Sequence, residues 1–130
     1  MATHMPEIDD FLAQHIIAVA GVSRGGKKFG NRVYRNLLAR GYRVFPVNPH
    51  VRQVEGVACY PNLKSLPEKV DGVVSVIPPQ ETEILVREAG MIGIRRVWMQ
   101  PGAESERAIA LGKELGMAIV AGECIMLHPR

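Results

Sequence analysis

The residues best equipped for chemistry lie in one short stretch, Gly21-Val22-Ser23-Arg24-Gly25-Gly26-Lys27-Lys28. Its glycines leave backbone N–H groups open to a ligand, and Arg24, Lys27 and Lys28 add positive charge. An apolar run of strand length, Ile16–Ala20, precedes it, and an amphipathic helix over roughly Asn31–Arg40 follows. A strand, a glycine turn and a helix N-terminus gather free N–H groups and the positive end of the helix dipole at one point. The expected ligand is therefore phosphorylated.

Three catalytic or nucleotide motifs compete for this loop. Gly21-x-x-x-x-Gly26-Lys27 matches most of a Walker A loop, but Lys28 stands where Ser or Thr should hold magnesium. No acidic residue closes a later strand, since Asp71 precedes one instead, so phosphoryl transfer lacks its charge neutraliser. Gly21-Val22-Ser23-Arg24-Gly25 satisfies the GxSxG nucleophile elbow. A triad would then need a later acid and histidine. Asp71 is the only later aspartate, and the later histidines are His50 and His128. As a simpler role, Ser23 contacts phosphate or caps a helix. The dinucleotide fingerprint GxGxxG is broken, because Ser23 occupies the second glycine position. A bare ribose diol also calls for an acid at the end of the second strand. The chain reads Val47-Asn48-Pro49-His50-Val51-Arg52 there, which suits a phosphorylated ribose better. NADP or a phosphorylated adenosine is compatible. Pro78 and Pro79 offer no N–H donors. They end a strand and start a helix, and form an apolar wall suited to adenine or a pantetheine arm.

These loops need a scaffold, and hydrophobic periodicity supplies one. A first helix over Pro6–His15 buries Ile8, Phe11 and Leu12, and the second carries Val33, Tyr34, Leu37 and Leu38 on one side. Strands are expected at Ile16–Ala20, Arg43–Val47, near Val57–Tyr60, Gly72–Ile77, Arg96–Met99 and Met117–Val120. A helical turn falls around Leu63–Leu66. A later helix carries Ile84, Leu85, Ala89 and Ile92 on one face, and the next buries Ala108, Ile109, Leu111 and Leu115. Strands apolar on both faces and separated by helices specify an α/β fold: a doubly wound, mostly parallel sheet with helices on both faces. Its ligand lies outside the carboxyl ends of the strands, where the loops at Gly21–Lys28, Asn48–His50 and Ile77–Pro79 converge.

Composition narrows the classes further. The 130 residues are 47% hydrophobic and 22% charged, which fits one domain over residues 1–130. Residues 1–5 are polar and expected to be disordered in part. A net charge of +3 is too small to imply nucleic acid, and no apolar run reaches the roughly 18 residues of a membrane span. Cys59 and Cys124 lie far apart without a partner motif, which points to free thiols in the cytoplasm. Scattered histidines (His4, His15, His50 and His128) and the lack of a CxxC argue against a metal.

Several motifs in order carry a family resemblance. Gly21-Val22-Ser23, Val47-Asn48-Pro49, Cys59-Tyr60-Pro61 with Leu66-Pro67, and Asp71 leading to Ile77-Pro78-Pro79 resemble the small bacterial CoA-binding proteins. Val97-Trp98-Met99-Gln100-Pro101-Gly102 and Gly122-Glu123-Cys124-Ile125 are similar to that family too. Such proteins look like a free-standing form of the CoA-binding domain in the alpha subunit of succinyl-CoA synthetase. The resemblance spans roughly Phe11 to His128. It implies a Rossmann-like sheet with coenzyme A or an acyl-CoA as ligand. It places Gly21, Val22 and Ser23 at the diphosphate and Arg24 with Lys27 or Lys28 on phosphate. Asn48 and Pro49 would border the adenosine, and Ile77 with Pro78 would pack on the nucleotide or pantetheine. It also implies binding without catalysis, because the synthetase uses a phosphorylated histidine in a second domain. A protein partner fits this role, whereas nucleic acid and membrane do not. The other readings are an NAD(P)-binding regulatory module, and a hydrolase or acyltransferase using Ser23 or Cys124. The residues favour a small buried role for Cys124, core packing for Trp98, and a turn cap or groove lining for Glu123.

Overall fold

The computed structural model describes residues 6–129. Met1 to Met5, where partial disorder is expected, lie outside the described residues together with Arg130. In chain order the elements are α1 (Pro6–Leu12), β1 (Ile16–Ala20), α2 (Phe29–Ala39), β2 (Arg43–Val47), β3 (Gln53–Val54), β4 (Val57–Ala58), β5 (Gly72–Ser75), α3 (Pro79–Met91), β6 (Arg96–Met99), α4 (Glu106–Glu114) and β7 (Ala118–Ala121). Short 3-10 turns occupy Leu63–Ser65 and Ile125–Leu127. Among the described residues no helix is long and apolar enough to cross a membrane.

Five strands form one parallel sheet in the order β2-β1-β5-β6-β7. The chain leaves β1 for the β2 edge, returns across β1 to β5, and then moves outward to β7. The connections after β1 and β5 therefore diverge, and the space between them at the carboxyl ends is the switch point of a doubly wound, Rossmann-like fold. Alternation along each strand builds the two cores. Ile17, Val19, Val74, Trp98 and Val120 face α1 and α2, where Phe11, Val33 and Leu37 meet them. Ala18, Ala20, Val73, Val97, Met99 and Ile119 face α3 and α4, where Val86, Ala89 and Ala108 meet them. Trp98 is fully buried and edge-on to Phe11 at 5.4 Å, a core residue as its strand position suggests.

Local chemistry accounts for the departures from the expected boundaries. The expected strand near Val57–Tyr60 does not join the sheet beyond a single Val47–Tyr60 bridge. β4 instead folds back antiparallel on β3 around Glu55-Gly56, both at positive φ. That is a two-residue hairpin turn whose twist matches the flanking strands. Pro46 is tolerated in β2 because the strand is at the sheet edge. α1 stops at Leu12 rather than His15, because Asp71 Oδ2 takes the N–H groups of His15 and Ile16 and turns the chain into β1. α2 begins at Phe29, ahead of Asn31, and absorbs Gly30 for a reason given below. β5 ends at Ser75, before Ile77.

Candidate functional site

The β1–α2 turn is shaped by two glycines. Gly21 has φ +115°, and a Cβ there would come within 3.1 Å of the Val76 backbone. Gly30 lies in the first turn of α2, where a Cβ would meet the Gly21 carbonyl oxygen at 2.2 Å. Only a bare Cα lets the helix N-terminus come this close to the strand tip.

Asn31 then fastens the loop. This residue is fully buried, and all four of its hydrogen-bonding sites are used. Its Oδ1 accepts from the Ser23 N–H at 2.9 Å and the Ser23 hydroxyl at 3.1 Å. Its Nδ2 donates to the Ser23 carbonyl and to Glu55 Oε2, each at 2.8 Å. Glu55, at φ +51°, also pairs with Arg35 at 2.6 Å, and Arg35 donates to the Gly26 carbonyl at 3.0 Å. The β3–β4 hairpin thus grips the loop at both Ser23 and Gly26. Tyr34 sits behind it, its hydroxyl pKa raised first by burial and then by Glu55 and Cys59.

What remains unbonded in the loop is positive. α2 has no side-chain cap. The backbone N–H groups of residues 24–30 find no acceptor among the described residues. Arg24, Lys27 and Lys28 are exposed and form no ion pair among the described residues. Free helix-start donors beside unpaired cations make an anion-binding concavity.

An open cleft of about 550 Å³ adjoins Gly21 at the switch point. Strand tips form one wall through Ala20, Gly21, Val47 and Ile77. The opposite wall is one stripe of α3, Glu81, Ile84, Leu85 and Glu88, at spacings of three and four residues. Asn48, Pro49, His50, Pro61 and Asn62 close the rest. Asn48 also holds the tips together. Its Nδ2 donates to the Val22 carbonyl at 3.0 Å, and its Oδ1 accepts the His50 N–H at 2.8 Å.

The structure brings Gly21, Asn48, Pro49 and Ile77 together around this cleft and sets Ser23, Arg24, Lys27 and Lys28 beside it on the loop. Two of the named residues are placed differently. Val22 points into the core and is fully buried, so only its backbone is available to a ligand. Pro78 is the exposed residue preceding α3 and does not line the cleft as Ile77 does. The readings left to the other motifs are also located. Asp71 is at the opposite end of the sheet, bonded to the start of β1, far from any phosphate loop. The Ser23 hydroxyl is engaged by an amide, not an imidazole. Cys124 is half-buried and polar-bonded instead of buried: its Sγ accepts from Gln100 Nε2 at 3.3 Å. Glu123 pairs with His128 at 2.8 Å and is not among the residues lining the cleft. The Cys59 thiol is pushed up by burial.

Sequence reasoning missed Gly30, Asn31, Glu55 and the α3 wall. A glycine nine residues after Gly21 and a Glu-Gly pair between Val54 and Val57 were the available signals for the first and third.

Comparison with known proteins now decides the family. A family model described as a CoA binding domain matches residues 15–129. The chain belongs to the CoA-binding domain family. It is 30% identical to the Pyrococcus furiosus acetate–CoA ligase [ADP-forming] II subunit alpha, over 91% of this chain but 28% of that one. The chain spans less than a third of the length of the first curated relatives it matches. Solved structures of similar size share the fold. A conserved hypothetical protein from Pyrococcus furiosus matches at 38% identity and a TM-score of 0.82, covering 87% of this chain and 97% of that one. A hypothetical protein from Pyrococcus horikoshii OT3 matches at 31% identity and a TM-score of 0.89, covering 98% and 94%.

Proposed function

We propose that this CoA-binding domain binds coenzyme A or an acyl-CoA at the β1–α2 turn and the neighbouring cleft, and performs no reaction on it. One observation carries the reading. Among the described residues, unbonded N–H groups at the start of α2 and three unpaired cations stand on the loop that adjoins an apolar cleft at the switch point. Coenzyme A has the matching division: a diphosphate and a 3′-phosphate for the loop, and largely uncharged ends for apolar surface. Arg24, Lys27 and Lys28 meet phosphate together with the free backbone N–H groups of residues 24–30, while Gly21 and Ser23, whose N–H groups are taken by Val47 and Asn31, border it. Asn48, Pro49 and Ile77 border the nucleoside. His50 and Arg52 are the groups nearest in sequence to the β2 tip that suit the 3′-phosphate. A ligase name among the relatives belongs to chains several times longer, and here Ser23 and Cys124 are each bonded to an amide. The free thiols fit a reducing compartment such as the cytoplasm.

Thermal unfolding with coenzyme A, dephospho-CoA, NADP and ATP at matched concentrations tests this. A ligand at 100 times its Kd stabilises by about 2.7 kcal/mol. Coenzyme A should give the largest shift and dephospho-CoA a smaller one. A larger shift with NADP would replace this reading by a dinucleotide-binding one. Turnover of an acyl-CoA that Ser23→Ala or Cys124→Ala abolishes would replace it by an enzymatic one.

A further inference from the structure

The cleft contains an unusual combination: apolar walls, two carboxylates, and no lysine or arginine among its lining residues. Glu81 and Glu88 repel phosphate, so the part of a ligand that lies along the α3 wall must be uncharged. In doubly wound folds the nucleoside end lies toward the second strand, whose tip here contributes Val47, Asn48, Pro49 and His50. The uncharged part facing that tip is therefore the base. The apolar groups of the lining, Ile77, Pro49 and Ile84 among them, suit the faces of a flat ring.

The two carboxylates differ. Glu81 is exposed in the first turn of α3, at the phosphate end. Glu88 lies seven residues on, about 10 Å further along the helix, and is half-buried. Its Oε2 accepts the Lys64 N–H at 3.3 Å, which holds the group in place from the Leu63–Ser65 turn. A carboxylate has acceptor capacity on both oxygens and no donor, so Oε1 is left to receive a hydrogen from the ligand. Resting on the reading above, we infer that Glu88 is a specificity-determining residue that selects adenine by accepting a hydrogen bond from its exocyclic amine. A base with a carbonyl at that position, such as hypoxanthine, sets acceptor against acceptor and is rejected.

The test is a pair of dissociation constants, for coenzyme A and for its hypoxanthine analogue, measured by calorimetry on the whole chain. Hydrogen bonds to charged groups support a preference of about tenfold or more for the adenine form. Glu88→Gln keeps size and the Lys64 contact but adds a donor that can meet the carbonyl, and should bring the ratio close to one. Glu81→Gln, on the same wall, should leave the ratio unchanged. Equal binding of both ligands by the native chain would overturn the assignment while coenzyme A binding stands. A ratio that follows Glu81 instead would overturn it equally. If neither ligand binds, the CoA reading itself fails, a result distinct from either.

Discussion

The glycine loop and the cleft beside it meet at Gly21 but are built on opposite principles. The loop is polar and held from outside: Asn31, Arg35 and Glu55 hold its ends through hydrogen bonds of 2.6–3.1 Å. The cleft is mostly apolar; beyond the bonds of Asn48 and Glu88, its walls are the outward faces of elements already fixed by the core. Loop geometry should therefore be inseparable from folding, whereas the cleft can change without cost to the fold. A loop carrying free N–H donors is polar and unpaired, so it needs an external frame to keep its shape. An apolar surface needs only two rigid walls.

The largest expected effect is on the loop. Gly30→Ala places a carbon 2.2 Å from a backbone oxygen, where no side chain can yield. It should destabilise the chain by about 1–3 kcal/mol or more and abolish the coenzyme A response. An unchanged urea midpoint would show that α2 does not make this approach. Asn31→Ala removes four hydrogen bonds and strands Glu55 beside Arg35 alone. A loss of about 1–3 kcal/mol is expected, with faster amide exchange across residues 23–28. On the cleft side the contrast should reverse. Ile84 is 66% exposed in the free chain, so Ile84→Ala should leave Tm in place. Covering this side chain by ligand supports a loss of about tenfold in affinity for coenzyme A, from the roughly 1.5 kcal/mol of a buried aliphatic group. The smallest effect belongs to the exposed cations. Lys27→Ala with Lys28→Ala should weaken coenzyme A several-fold at low salt, and the difference should vanish toward 1 M, where screening reaches about 3 Å. A salt-independent loss would mean that these lysines act through loop shape, which would blur the contrast.

Legibility in the sequence follows the same division. The run Ile16–Ala20, its glycine turn and the strand–helix alternation are local patterns, and they foretold the sheet, its two covered faces and the position of the turn. Gly21, Asn48, Pro49 and Ile77 could be named because each lies one or two residues beyond the end of a strand. Asn31 resembled any polar residue at a helix start. Its importance comes from Glu55, twenty-four residues away, and a Glu-Gly hairpin within a loop gave no hydrophobic alternation long enough to notice. Ile84 read as part of an apolar face with Leu85, Ala89 and Ile92, whereas it is 66% exposed and shares a wall of the cleft with Glu81 and Glu88. Val22 shows the converse: a loop residue next to a glycine whose side chain lies in the core.

By itself the sequence determined where strands end, that helices cover both faces, and that positive charge gathers at the first turn, because these depend on neighbours a few residues apart. Tertiary structure decided which donors stay free, which side chain grips the loop, and which helix face becomes a wall. Those depend on contacts between segments that only the strand order brings together, and no local period encodes the strand order.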